Sequence, residues 1–258
     1  MPKNFNRVGE MINKCNLMKI SIFSVVIAGI FFSSCSQFDE PKYSCDKTID
    51  SWVKDNLNEI RVMSRGDWMG IEDDFQRPVY RAFTPEQKFN FWMTKFEEVL
   101  QLEWTMEEKM HINRLIEFVE AHREMFCDGD VDEVLEDEID LFQYQWCEYA
   151  QTEFDWNNKV IYAIAATGKK MLATDGAIDG DINNRAKSVN GVMQHGSETG
   201  SGYIPECSCS KESDFCYFLA FGQSGVCKDA KCKETDGGCG FMWWKDCDGQ
   251  CFPDFEYN

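Results

Sequence analysis

The chain has 258 residues, of which 43% are hydrophobic, so it carries enough apolar side chains to form a core and is not disordered as a whole. Its 45 acidic residues outnumber 26 basic ones and give a formal net charge of −19 at pH 7. This charge repels nucleic acid and anionic lipid headgroups, and it excludes polyanions as expected partners.

The N-terminus has the features of a secretory signal. Met18 and Lys19 precede an apolar run, residues 20–32, and small residues follow that run. The run is too short to cross roughly 30 Å of hydrocarbon as a stable helix, so a cleaved signal is favoured over a transmembrane anchor. The sequence therefore predicts export from the cytoplasm.

The segment Phe32-Ser33-Ser34-Cys35 resembles the bacterial lipobox, although Phe32 stands where that motif usually has Leu. The resemblance implies that residues 1–34 are removed, that Met18 is the true start, and that a lipid on Cys35 holds the protein in the membrane. The mature chain would then have 22 basic and 44 acidic residues, a net charge of −22.

Acidic residues soon after Cys35, Asp39 and Glu40, resemble the signal that sends lipoproteins of one Gram-negative phylum to the outer face of the outer membrane. We therefore expect the protein to be an outer-membrane lipoprotein exposed at the cell surface, with residues 35–44 as its tether. The alternative is a lipoprotein that faces the periplasm, in which these acidic residues only begin a solvated tether.

The spacing of apolar residues predicts a compact all-α domain over residues 45–172. Two helices are expected to begin at capping boxes, in which a threonine and the residue three places later cap each other's backbone amides. Further helices are expected over 131–153 and 157–172. The capping-box segments are Thr84-Pro85-Glu86-Gln87 and Thr105-Met106-Glu107-Glu108.

Residues 173–206 lose this periodicity and are rich in turn-forming pairs such as Asp175-Gly176 and Asn190-Gly191. Such a segment cannot bury a continuous apolar face, so it predicts a flexible linker. Flexibility would equally suit a site of proteolytic release.

The last 52 residues contain eight of the thirteen cysteines. So short a segment buries little apolar surface, and cross-links worth roughly 2–4 kcal/mol each are expected to stabilise it. The cysteine spacings do not form the paired claws of a zinc site, so disulfides are favoured over metal. We predict a small disulfide-rich minidomain of loops and β-structure over 207–258, with four bridges of open connectivity among Cys207, Cys209, Cys216, Cys227, Cys232, Cys239, Cys247 and Cys251.

Three further cysteines lie in the helical domain. Cys127 and Cys147 flank the junction between the helix predicted from Thr105 and the helix predicted over 131–153, where antiparallel packing could bring their Cα atoms within the roughly 4.4–6.8 Å that a disulfide needs. We predict a Cys127–Cys147 disulfide. Cys45 is then odd, and it is either free or paired with one of these two.

Catalytic motifs are missing from the sequence. It contains no Gly-x-Ser-x-Gly elbow, His-Glu-x-x-His helix, Walker loop or dinucleotide fingerprint, and His111 and His122 are more typical of helix packing than of a catalytic pair. We expect no enzymatic activity, catalytic residue, metal or cofactor. An enzyme with an unrecognised site is the least favoured alternative.

Four motifs occur in order along the C-terminal segment: Cys207-Ser208-Cys209-Ser210, Ser213-Asp214-Phe215-Cys216, Gly238-Cys239-Gly240 followed by Trp243, and Cys247-Asp248-Gly249-Gln250-Cys251. Together they resemble fulvocin C and the fulvocin C-related bacteriocin proteins. The helical region around Thr84-Pro85-Glu86-Gln87-Lys88 is also similar to the N-terminal part of fulvocin C-related lipoproteins. The resemblance implies an antibacterial or antagonistic role for the C-terminal segment.

Aromatic residues are more numerous in this segment than so small a core should hold. Trp243 and Trp244 lie between Cys239 and Cys247, and we predict them to be the contact surface for a receptor on a competing cell. The alternative is that the aromatics pack on the disulfides or dock on the helical domain.

Two classes of function follow. The first is a bacteriocin-like surface lipoprotein, in which the helical domain presents the C-terminal segment or keeps it inactive. The second is a non-toxic cell-surface binding or adhesion module whose C-terminal segment is a recognition cap.

Overall fold

The computed structural model describes residues 41–127, 132–180, 205–218 and 223–253. As expected, a helical domain is followed by a disulfide-rich C-terminal region with small antiparallel sheets. The described helices are α1 (Lys47–Asp55), α2 (Leu57–Ile60), α3 (Arg65–Met69), α4 (Asp73–Arg81), α5 (Pro85–Leu100), α6 (Met106–Ala121), α7 (Glu133–Phe154) and α8 (Asn158–Ala165), with a 3₁₀ turn at Arg123–Phe126.

The two predicted capping boxes are confirmed. The Thr84 hydroxyl accepts a hydrogen bond from the backbone amide of Gln87, whose side chain caps Thr84 in return, and α5 begins there with proline at its first position. Thr105 and Glu108 form the same reciprocal pair at the start of α6. These local bonds fix where the two long helices begin.

The helix expected over 157–172 is shorter than predicted, because α8 ends at Ala165. Three residues further on, the chain runs against aromatic rings: a Cβ atom on Gly168 would lie 2.5 Å from Phe91 and 2.7 Å from Trp68. Glycine is therefore needed for this close approach. Residues 166–170 form a loop that covers the core.

Buried ionic groups hold this loop in place. Arg65 donates to the carbonyl oxygen of Gly168 at 2.7 Å and pairs with Glu98 at 2.6 Å. Lys95 is fully buried and donates to the carbonyl of Lys169. Burial lowers the pKa of the Lys95 ammonium well below its ordinary value, and the neighbouring Arg65 lowers it further.

The start of the expected linker is folded. Residues 173–180 form a tight turn closed by the bridge between Met171 and Ile178, both of which are buried. Gly176, with φ of +82°, allows the chain to reverse there. The flexible linker predicted from residue 173 is thus wrong for 173–180, and residues 181–204 lie outside the described part of the chain.

The described part of the C-terminal region contains five short strands, β1 (Tyr217–Phe218), β2 (Gln223–Lys228), β3 (Thr235–Cys239), β4 (Lys245–Cys247) and β5 (Gln250–Pro253). One antiparallel sheet has the order β1-β2-β5, with Cys227 opposite Cys251. The other pairs β3 with β4, and a 3₁₀ turn at Phe241–Trp243 connects them.

Helical and C-terminal side chains share one hydrophobic core. Phe241, Met242 and Trp243 are buried in the same cluster as the aromatic residues of α3, α4 and α5. The helical members that touch this cluster include Trp68, Tyr80, Phe91 and Trp92. The C-terminal region therefore packs with the helices in one compact unit.

Among the described helices, none has both the length and the hydropathy required to cross a bilayer. The predicted signal, residues 1–34, and the predicted lipidation site, Cys35, lie outside the described residues.

A buried histidine links α6 to α7. The His111 ring stacks on Trp146, its Nε2 bonds the carbonyl oxygen of Trp146 at 3.0 Å, and the Trp146 indole donates to the carbonyl of His111 at 3.1 Å. Burial lowers the pKa of His111 from 6.5 to about 4. The position is therefore built for a neutral imidazole.

This histidine should make folding stability depend on pH. Between about pH 6.5 and about pH 4 the unfolded chain protonates His111 and the folded protein does not, so the free energy of unfolding falls as the pH is lowered through this range. We expect His111→Gln, which keeps an N–H donor but cannot titrate, to lose the part of the pH-dependent fall in the free energy of unfolding that His111 causes. Urea denaturation of both proteins across that range measures it, and identical pH slopes would contradict the assignment.

Candidate functional site

All eight C-terminal cysteines form disulfides, which join Cys207 to Cys232, Cys209 to Cys227, Cys216 to Cys251 and Cys239 to Cys247. The sulfurs of Cys209, Cys216 and Cys251 lie within 4.8 Å of one another. Each of these three is already bonded to another sulfur, so the cluster is a pair of packed disulfides and not a set of thiolate ligands.

The predicted Cys127–Cys147 disulfide is wrong. Cys147 is a free thiol on α7, whereas Cys127 is disulfide-bonded. Burial raises the pKa of the Cys147 thiol to about 12, which keeps it protonated and unreactive. Cys45 is also a free thiol, so of the alternatives considered for it the unpaired one holds.

The turn between β3 and β4 points into the helical core. Gly240 has φ of +73°, and a Cβ atom there would lie 2.7 Å from Ser213, so glycine is required. Met242 and Trp243 also have positive φ values, of 50° and 57°. Such strained backbone persists only where surrounding contacts impose it. Here the side chains of Met242 and Trp243 pack against the helices.

Trp243 is the centre of these contacts. Only 6% of it is exposed, and its indole donates to the carbonyl oxygen of Ala166 at 3.0 Å. Its ring meets that of Tyr80 edge to face at 5.0 Å between centroids, and the Tyr80 hydroxyl donates to the carbonyl of Met242. The prediction of Trp243 as an exposed receptor contact is therefore wrong, because the reversed turn buries it.

Trp244 is partly buried against the same core. The ammonium of Lys245 lies 4.3 Å from the centre of its ring, a cation–π contact. Lys245 also donates to Glu136 and Asp140 of α7 and to Glu212 in the segment before β1, at 2.7–3.2 Å. Lys245 thus ties the C-terminal region to α7.

Two arginines one helical turn apart on α4 bind the other side of the C-terminal region. Arg81 is buried and donates to the carbonyl oxygens of Tyr43 and Gly237, and it pairs with Glu206 at 3.3 Å. Arg77 donates to the carbonyl of Ser208 at 2.7 Å. The same guanidinium groups contact both sulfurs of the Cys239–Cys247 disulfide, at 3.2 and 3.6 Å.

A cleft of about 630 Å³ opens between α7 and the C-terminal region. Its described lining includes four carboxylates and no basic residue, together with Tyr144, Phe215 and the thiol of Cys147. Lys245 pairs with two of these carboxylates, Asp140 and Glu212, and with Glu136. The carboxylates that line the cleft are Asp140, Glu148, Glu212 and Asp214.

The sequence analysis did not predict the contacts between the helices and the C-terminal region. A weak signal was present for the arginines, because Arg77 and Arg81 stand four residues apart and therefore share one face of α4. Lys245 and the cleft had no local signal, since their partners lie on other elements.

Comparison of the chain with protein-family models, with curated proteins and with solved structures found no match.

Proposed function

We propose that this protein is a bacteriocin-like surface lipoprotein, whose helical domain holds the antagonistic C-terminal region in a latent, docked form. The lipid on Cys35 anchors it in the outer membrane, and its partner is a receptor on a competing cell. The ordered cysteine motifs from Cys207 to Cys251, which resemble those of fulvocin C, support the antibacterial part.

The burial of the Phe241–Trp243 turn supports latency. Large aromatic side chains are the residues with which small disulfide-rich proteins make strong contacts. Here Phe241 and Met242 are fully buried and Trp243 nearly so, against helices that are not part of the C-terminal region. While the region is docked, these side chains are withheld from any receptor.

Charge contributes to the docked state as well. Arg81 is buried and donates hydrogen bonds to Tyr43, Gly237 and Glu206, and truncating such a group costs roughly 3–5 kcal/mol. A change that removes these bonds should release the C-terminal region without altering its four disulfides, since Arg77 and Arg81 lie outside it.

A growth-inhibition assay tests the proposal. The purified mature protein, with Cys35→Ser to keep it soluble, is applied to related strains beside the same protein carrying Arg77→Ala and Arg81→Ala. We expect the double variant to inhibit growth at a concentration about tenfold lower or more, because 1.4 kcal/mol of lost docking is a factor of ten. Arg61→Ala, an exposed arginine of the helical domain, is the matched control.

Intact mass and circular dichroism establish that each variant retains four C-terminal disulfides and its helices. A folded double variant that is no more active than the parent would contradict latency. If neither protein inhibits any strain, the antibacterial role itself is contradicted.

The acidic cleft favours a second function, a non-toxic cell-surface binding module. Its carboxylates attract cations, and the exposed ring of Tyr144 beside Phe215 offers apolar and cation–π contacts. This combination suits a positively charged, partly apolar ligand such as a lysine-rich peptide.

We expect calorimetric titration with a lysine-rich peptide to show binding that weakens as salt is raised. Glu148→Gln should reduce the affinity by about two- to fivefold, the effect of one exposed ion pair. Glu103→Gln removes the same charge from an exposed position outside the cleft and should leave the affinity unchanged. Equal effects of the two variants would mean that only the overall charge attracts the peptide.

A further inference from the structure

A free thiol lies beside one of the C-terminal disulfides. Cys45 precedes α1, and its thiol donates to the carbonyl oxygens of Lys233 at 3.9 Å and Glu234 at 3.7 Å. Lys233 directly follows Cys232, one half of the Cys207–Cys232 disulfide. The thiol is therefore close to the chain that carries this disulfide.

Cys45 also contacts the residue that precedes the other half of the disulfide. The backbone amide of Cys45 donates to the carboxylate of Glu206, which directly precedes Cys207. The amide of Cys207 donates to the same Lys233 carbonyl that Cys45 contacts, at 2.9 Å. These contacts place Cys45 against the residues that adjoin both halves of the Cys207–Cys232 disulfide.

The three cysteines differ in their exposure to solvent. Cys45 and Cys232 are each partly exposed, whereas Cys207 is 2% exposed. The Lys42 ammonium donates to the Cys45 sulfur at 3.4 Å. An attacking thiolate would reach the sulfur of Cys232 more readily than that of Cys207, because access limits thiol–disulfide exchange.

We propose that Cys45 exchanges with the Cys207–Cys232 disulfide, so that the protein exists in two covalent isomers. The Cys45 thiol gives its proton to solvent, and the thiolate attacks the Cys232 sulfur. A Cys45–Cys232 bond forms as the Cys207–Cys232 bond breaks, and Cys207 leaves as a thiolate that takes up a proton. The number of disulfides is unchanged, and no oxidant or reductant is consumed.

The exchange has a structural consequence for docking. All four C-terminal disulfides join cysteines within that region, so none of them ties it to the helices. The Cys45–Cys232 bond would join the region to the segment that leads into α1. One isomer can undock, and the other is covalently latched to the helical domain. The exchange itself does not depend on the antibacterial proposal.

Peptide mapping of the folded protein tests the exchange. Samples held at a series of pH values are quenched in acid, denatured with N-ethylmaleimide to block free thiols, and digested with trypsin. The exchanged isomer gives residues 43–47 linked to residues 232–233, with the maleimide on Cys207. We expect this species to form about tenfold faster for each unit of pH while the thiol is mostly protonated, because the thiolate is the nucleophile.

Two variants complete the experiment. Cys45→Ser should yield Cys207–Cys232 alone, and Cys147→Ser, which removes the other free thiol of the described residues, should leave the exchange rate unchanged. If the unmodified protein at alkaline pH retains only Cys207–Cys232, with Cys45 fully labelled, the proposal is overturned. Loss of exchange in Cys147→Ser would overturn it as well, since it would assign the reaction to the wrong thiol.

Discussion

The structure depends on the insertion of one short turn, Phe241–Trp243, into the core of the helical domain. Trp243 touches aromatic rings from α3, α4 and α5, so a single side chain of the C-terminal region joins three helices. The glycine at 240 and the positive φ values at 242 and 243 set the direction of this insertion. The strain they store is offset by the burial of three large side chains.

Disulfides and charges then have separate roles. The four disulfides constrain the C-terminal region internally, as its short strands and small size require. Polar contacts attach it to the helices, through Arg77 and Arg81 of α4 and through Lys245, which reaches from β4 to α7. Since these disulfides stay within the C-terminal region, only non-covalent contacts join it to the helices in the described part of the chain.

Local sequence signals predicted much of the fold. The capping boxes at Thr84 and Thr105 depend on residues three apart, and cysteine density alone indicated a cross-linked C-terminal region. The failures concern long-range contacts. The partners that bury Trp243 are more than 70 residues away, so its burial has no local signal. The Cys127–Cys147 disulfide was expected from antiparallel helix packing, and Cys147 is instead a free thiol.

The central claim is that the helices and the C-terminal region unfold as one core, and Trp243→Ala tests it most directly. Chemical denaturation followed by the circular dichroism of the helices should show a single transition, destabilised by about 3–5 kcal/mol, as for other buried tryptophans. Trp52→Ala, on the exposed side of α1, should cost much less. If the helices of Trp243→Ala unfold at the denaturant concentration of the parent protein, the two regions do not share a core.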